Sequence, residues 1–145
     1  KYNLKDFERK NEFNISWIKS TFSSPCIDQD NLNFILNESM RNEEDVIIIC
    51  LDGYHFKSSY SKYDLFKYIL MADFYQCDVL FFNGNKIDFM SNIQDELYWV
   101  SNIQKSNFIV VYKRFFEKML NASWLPVDNF FDIISSLTAN KLMIK

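Results

Sequence analysis

Glycine and proline are nearly missing from this chain, with two of each in 145 residues. That scarcity excludes long flexible linkers and low-complexity tails. It also excludes a phosphate loop, because Gly53 and Gly84 stand alone instead of in a glycine-rich cluster. Histidine is rarer still: His55 is the only one. A serine or cysteine nucleophile usually needs a histidine base, so a single place in the chain could host such a pair. The three cysteines, Cys26, Cys50 and Cys77, are well separated, odd in number and without metal-ligand spacing. They argue against a zinc site or a disulfide framework and for free thiols acting as small hydrophobes, so neither metal nor cofactor is expected. No apolar run approaches the ~20 residues of a membrane span, and no signal-peptide pattern opens the sequence. The expectation is a cytoplasmic protein with no membrane partner. Positive charge is short as well, with 16 Lys and Arg against 19 Asp and Glu, a net charge of −3. The basic cluster that stands out, Lys113-Arg114 with Lys118, is too small for a nucleic-acid footprint. An acidic surface is better suited to docking a basic partner.

What is present is core material. Hydrophobic residues make up 48% of the chain and aromatics 18%, including 15 Phe, 8 Tyr and 3 Trp. A chain of this length buries roughly 68–70% of its unfolded surface and is the size of one domain. The abundance of Phe, Asn, Lys, Ile and Tyr is a bias that AT-rich codons produce. No internal repeat or composition shift marks a boundary, so residues 1–145 read as a single α/β domain.

Apolar spacing supplies the elements. Ile15, Ile18 and Phe22 fit a short amphipathic helix, while Phe13, Ile15 and Trp17 fit a strand. Asp28 or Asp30 caps a helix whose inner face is Leu32, Ile35, Leu36 and Met40. Val46 to Leu51 is a continuous apolar run, as expected for a strand buried on both faces of a parallel sheet. Ser61 and Asp64 form a capping-box-like start to a helix with Leu65, Ile69 and Ala72 on one face. Phe66, Leu70 and Phe74 lie on another, which predicts packing on both sides. Val79 to Phe82 is a second buried strand, completing a βαβ unit with an expected right-handed crossover. Asn83-Gly84-Asn85 signals a turn, with Ile87 and Phe89 in a short strand. Asn92 and Asp95 predict a helix with the stripe Ile93, Leu97, Val100 and Ile103. Phe108 to Tyr112 reads as a third strand. Two helices follow, Phe115 to Leu120 and Asp128 to Leu137, and then a short edge strand over 141–145.

Chemistry is thin in this pattern. Asp52-Gly53-Tyr54-His55 follows a strand end, where α/β sheets often place active residues. A small α/β nuclease or hydrolase using Asp52, His55 and Asp78 is therefore one reading, and Asp52, Asp78 and Lys86 a metal-dependent variant of it. The plainer reading is a loop that turns at Gly53. Tyr98-Trp99, Trp124 and the many Phe residues could stack on bases, yet such residues are more often core.

The order from Pro25 onward resembles the barstar family of intracellular ribonuclease inhibitors. Pro25 is followed by Asn31-Leu32 opening a helix, then the run Val46 to Leu51, a long helix, and Cys77-Asp78 leading into Val79 to Phe82. Counting the helix before Pro25, the resemblance covers about 17–83, with 84–145 as an extension. It implies a two- or three-layer α/β domain with a small, mostly parallel sheet and a C-terminal α/β extension. It also implies an immunity protein that binds a cognate basic nuclease toxin, delivered by a competing bacterium, and occludes its active site, acting as a monomer or weak dimer. The family's inhibitory surface maps here onto the loop and helix from Pro25 to Asn37, aided by the long helix. At those positions this sequence carries Ile27 for a loop aromatic, and Asn33 and Asn37 for helix aspartates. Met71 replaces a long-helix glutamate, with Asp73 beside it, and acidity comes from Asp28, Asp30 and Glu38. Those substitutions point to a toxin other than the family's usual target.

Overall fold

The computed structural model describes residues 12–18, 27–51, 54–125 and 128–145. Phe22, Pro25, Cys26, Asp52, Gly53 and Pro126 lie outside these residues. In chain order the elements are α1 (Gln29–Arg41), β1 (Val46–Cys50), α2 (Lys62–Phe74), β2 (Val79–Phe82), β3 (Asn85–Ile87) and β4 (Met90–Gln94). Then come β5 (Leu97–Val100), β6 (Ile103–Lys105), β7 (Phe108–Tyr112), α3 (Lys113–Leu120), α4 (Phe130–Leu137) and β8 (Lys141–Ile144). Residues 12–18 form neither of the two elements their spacing allowed.

Six strands make one mixed sheet in the order β1-β7-β2-β8-β5-β4, and β3 pairs with β6 in a separate ribbon. Every pairing in the six-stranded sheet is antiparallel except β2 with β8. The expected mostly parallel sheet is thus corrected to a mainly antiparallel one. The cause lies in what an apolar run reports. Val46 to Cys50 is apolar because helical layers cover both sheet faces, and that coverage does not depend on strand direction. β1 is also an edge strand, so its residues are mostly half-buried. β1 and β2 do run the same way, but each pairs antiparallel with β7, which fills the gap between them.

Side-chain alternation sorts the layers. Ile49, Val79, Phe81, Ile109, Val111 and Met143 point into one core with Leu32 and Leu36 of α1, Phe115 and Phe116 of α3, and Ile134 of α4. Leu80, Phe108, Val110, Tyr112, Leu142 and Ile144 point into the other core with Leu65 and Ala72 of α2. The result is three layers, with α1, α3 and α4 on one face and α2 on the other.

Two further expectations fail. Residues 92–103 form no helix: β4 and β5 make a hairpin through Asp95-Glu96, with Asp95 at a φ of 49°. The Asn92 side chain donates to the Asp95 carbonyl at 2.9 Å, closing a turn where a helix cap was expected. Paired between β4 and β8, the segment Leu97-Tyr98-Trp99-Val100 turns Leu97 and Trp99 into one core and Val100 into the other, a strand alternation that overrides the coincidental helical spacing. The second correction is β8, which lies between β2 and β5 with all four residues buried, although an edge strand was expected.

Candidate functional site

α1 carries most of the residues expected to bind a partner. It starts where it does because Asp28, in extended conformation, accepts from the Asn31 backbone N–H at 2.8 Å and from the Asn31 side chain at 2.7 Å. This satisfies one of the helix's orphan donors and sets a negative charge at the positive end of its dipole. Leu32 and Leu36 are fully buried and fix which face looks inward. Ile27 is half-buried against the same core, so it contributes little free surface. At the other end Arg41 pairs with Glu38 at 2.5 Å, and the chain turns through Glu43 at a φ of 57°.

The outward face holds Asp30, Phe34, Asn37 and Arg41, spaced four, three and four residues apart and all exposed. Glu38 flanks it, and Glu43, Glu44 and Asp45 extend it. Five carboxylates, on Asp30, Glu38, Glu43, Glu44 and Asp45, thus line α1 and the turn after it, with Arg41 paired to Glu38. Asn37 donates to the Asn33 carbonyl at 2.8 Å, a bond that holds its amide against the helix. Asn33 turns its Oδ1 inward, where it is buried without a partner among the described residues. Phe34 is 59% exposed and was not singled out from sequence. A signal was there: a Phe out of phase with Leu32 and Leu36 must point toward water.

The structure does not bring Asp73 to this face. It lies near the end of α2, across the sheet from α1, and pairs with Arg114. The Arg114 guanidinium also donates to the Cys77 carbonyl at 2.7 Å, so it pins the end of α2 to the start of α3. Lys113 sits 3.9 Å from Asp45. The basic cluster at 113–118 is thus partly taken up by internal ion pairs.

The alternative catalytic residues are also separated. Tyr54 packs on Phe108 at 4.8 Å, which puts His55 near the end of the sheet marked by Cys50, Phe108 and Phe82. Asp78 is at the other end, where its carbonyl accepts from the Tyr112 N–H at 3.1 Å and its carboxylate accepts from the Thr138 hydroxyl. Lys86 follows β2 and so lies beyond the end opposite Asp78. Asp52 is outside the described residues. No cluster of metal-ligating side chains occurs among the described residues, and no helix among them is long and apolar enough to cross a membrane.

Two open hollows of about 360 and 320 Å³ adjoin each other at Ser135 and Ser136. The first is lined by polar groups including Asp88, Asn102 and Asp132. Lys141 lines the second; burial lowers its pKa, and its ammonium donates to the Ser135 and Thr138 carbonyls at the end of α4. That cation completes a helix C-terminus. No model of a known protein family matches this chain, and no curated protein or solved structure matches it either.

Proposed function

We propose that this protein is an immunity protein of the barstar kind, which inhibits a cognate toxin by laying the outward face of α1 over a basic active site. The observation that carries this reading is Phe34, a large aromatic left in water between Asp30 and Glu38 on a helix whose other side is locked into the core. An exposed aromatic anchor inside a charged rim is the composition of a binding hot spot. The carboxylates around it complement the cationic cleft that a nuclease uses to hold phosphates, and they speed encounter by electrostatic steering. Occlusion needs only a rigid, pre-organised surface, and α1 is rigid because Asp28 caps it and Leu32 and Leu36 anchor it. Within this reading the binding residues are Asp30, Phe34, Asn37 and Glu38. Asp28 serves chiefly as the cap, and Asp73 belongs to another surface. The alternative, hydrolysis by Asp52, His55 and Asp78, loses support because His55 and Asp78 stand at opposite ends of β2.

The test is capture from the native lysate on immobilised protein, followed by denaturing release, refolding and a nuclease assay. Capture of a basic nuclease that the wild-type protein silences, and that neither Phe34→Ser nor Asp30→Lys retains, supports the proposal. A nuclease held equally well by both variants overturns the assignment to α1. Hydrolytic activity in the purified protein itself, lost in His55→Ala, overturns the inhibitor reading.

A further inference from the structure

α2 was expected to pack on both sides, and it does not. Leu65 and Ala72 are buried beneath it, but Tyr63, Phe66, Leu70 and Phe74 are 75%, 55%, 67% and 80% exposed. Their spacing of three, four and four residues lines them up as one stripe along the helix's outer side. Aromatic side chains present roughly 150–250 Å² each, so this stripe exposes on the order of 500 Å² of largely apolar surface. That is near the upper end of what a monomer leaves in water. It is also half of the roughly 1,000 Å² that a specific interface must bury in total. Two copies of the stripe would supply the whole.

We infer that the α2 stripe is a homodimer interface, in which the α2 helices of two copies pack antiparallel about a two-fold axis. Two features of the helix select a second copy and that orientation. The first is symmetry of spacing. The stripe reads almost the same from either end, so an antiparallel pair sets Tyr63 against Phe74 of the second copy and Phe66 against Leu70. A two-fold interface requires such self-complementarity. The second is charge. Lys62 and Asp73 stand eleven residues apart, about three helical turns, and therefore lie on the same flank of the stripe. In an antiparallel pair the matching flanks meet, which brings Lys62 of each copy to Asp73 of the other. A parallel two-fold pair would put the two copies of this flank on opposite sides of the seam, so that no Lys62 would meet an Asp73. Asp73 keeps half its side-chain surface exposed despite its bond to Arg114, so it can accept a second cation. On the opposite flank Lys67 is held by Asp95 at 3.5 Å and does not enter the stripe. Because α2 and α1 cover opposite faces of the sheet, the dimer leaves both α1 surfaces open. This inference does not depend on what α1 binds.

The experiment is sedimentation velocity on the full chain over a wide concentration series. The wild type is expected to shift from one to two chain masses as concentration rises. Leu70→Glu is expected to stay at one chain mass throughout. It should keep the wild-type circular dichroism spectrum, because the replaced side chain touches mainly solvent. Lys62→Glu should weaken the dimer at low salt and do so less at high salt. Orientation is read by disulfide trapping. A mixture of Tyr63→Cys and Phe74→Cys chains should cross-link under mild oxidation, while neither variant alone cross-links above the wild-type background. A wild type that remains monomeric at every concentration overturns the inference and assigns the stripe to a different protein. So does a dimer that survives Leu70→Glu, and cross-linking of each variant with itself overturns the antiparallel arrangement.

Discussion

Replacing Gly84 by Ala tests how tightly the turn after β2 is packed. A Cβ at this position would sit 2.0 Å from Cδ1 and 2.9 Å from Cγ1 of Ile103, and 3.2 Å from the Met143 sulfur. Non-bonded carbons rest at about 3.5–4.0 Å, so Ile103 would have to retreat by well over an ångström. It has little room, being 1% exposed between β3 and α4. Overpacking of that kind costs about 1–3 kcal/mol. Relief of chain entropy works the other way, since Gly→Ala stabilises by about 0.4–1 kcal/mol where the new side chain fits. The net expectation is a loss of about 1–2 kcal/mol, or a fall in Tm of roughly 2–8 °C for a chain of this size. Ile103→Val removes Cδ1, the atom in closest conflict, and costs about 0.5–1.5 kcal/mol alone through the cavity it leaves. In the double variant the cavity and the added methyl offset each other. Its stability should exceed the additive expectation by about 1 kcal/mol or more. Urea denaturation of the four proteins, with equal m-values, measures the coupling. Additivity within about 0.5 kcal/mol would refute the reasoning, because the cost of Gly84→Ala would then arise somewhere other than Ile103.

Asp28→Ala should destabilise the protein by about 1 kcal/mol through loss of the α1 cap, whereas Asp28→Asn should stay within about 0.5 kcal/mol, since asparagine caps nearly as well. Equal losses in thermal melts of the two variants would mean that the charge of Asp28, and not its capping bond, carries the effect. High pH should progressively destabilise the protein from about pH 9 upward. Burial raises the thiols of Cys50 and Cys77 from the ordinary 9.0 to about 12. Burial, then the neighbouring Cys50, lifts the Tyr54 hydroxyl from 10.0 to about 12. A raised pKa in the folded state means that stability is complete below the unfolded pKa and is lost above it. Each such group then costs up to about 1.4 kcal/mol per pH unit. Cys77→Ala, although less stable near neutrality, should converge on the wild type between pH 9 and 11, and parallel alkaline limbs in urea denaturation would contradict this.

Local patterns in the sequence carried those parts of the fold that depend on near neighbours. The Asp28 cap, the Leu32 and Leu36 face, the aliphatic run of β1 and the all-apolar β2 and β7 each announce an element within a few residues. Strand direction and order do not show locally, because β7 and β8 reach their places through contacts far apart in sequence. The β4–β5 hairpin was hidden by a helical spacing that Asp95, adopting a positive φ, breaks. The central place of β8 was not legible either, since the ammonium of Lys141 is buried there and satisfied by the end of α4. For the site, α1 and its acidity were legible. The separation of Asp73 from α1 was not, because the layer a helix joins depends on the sheet order. Phe34 and the outer stripe of α2 were visible as apolar residues, but a sequence does not say which of two apolar faces finds a partner.

The central position of β8 has a consequence for synthesis. It is the last of the described elements to leave the ribosome, yet it joins β2 on one side and β5 on the other. Until it emerges, β1-β7-β2 and β5-β4 are two partial sheets, each exposing an unpaired edge where β8 will sit. Such edges are templates for pairing with other chains. The nascent protein therefore passes through an interval in which most of its elements are made but its sheet cannot close. Chaperone demand and aggregation during expression should concentrate in that interval, and end when residues 141–144 zip the two halves together.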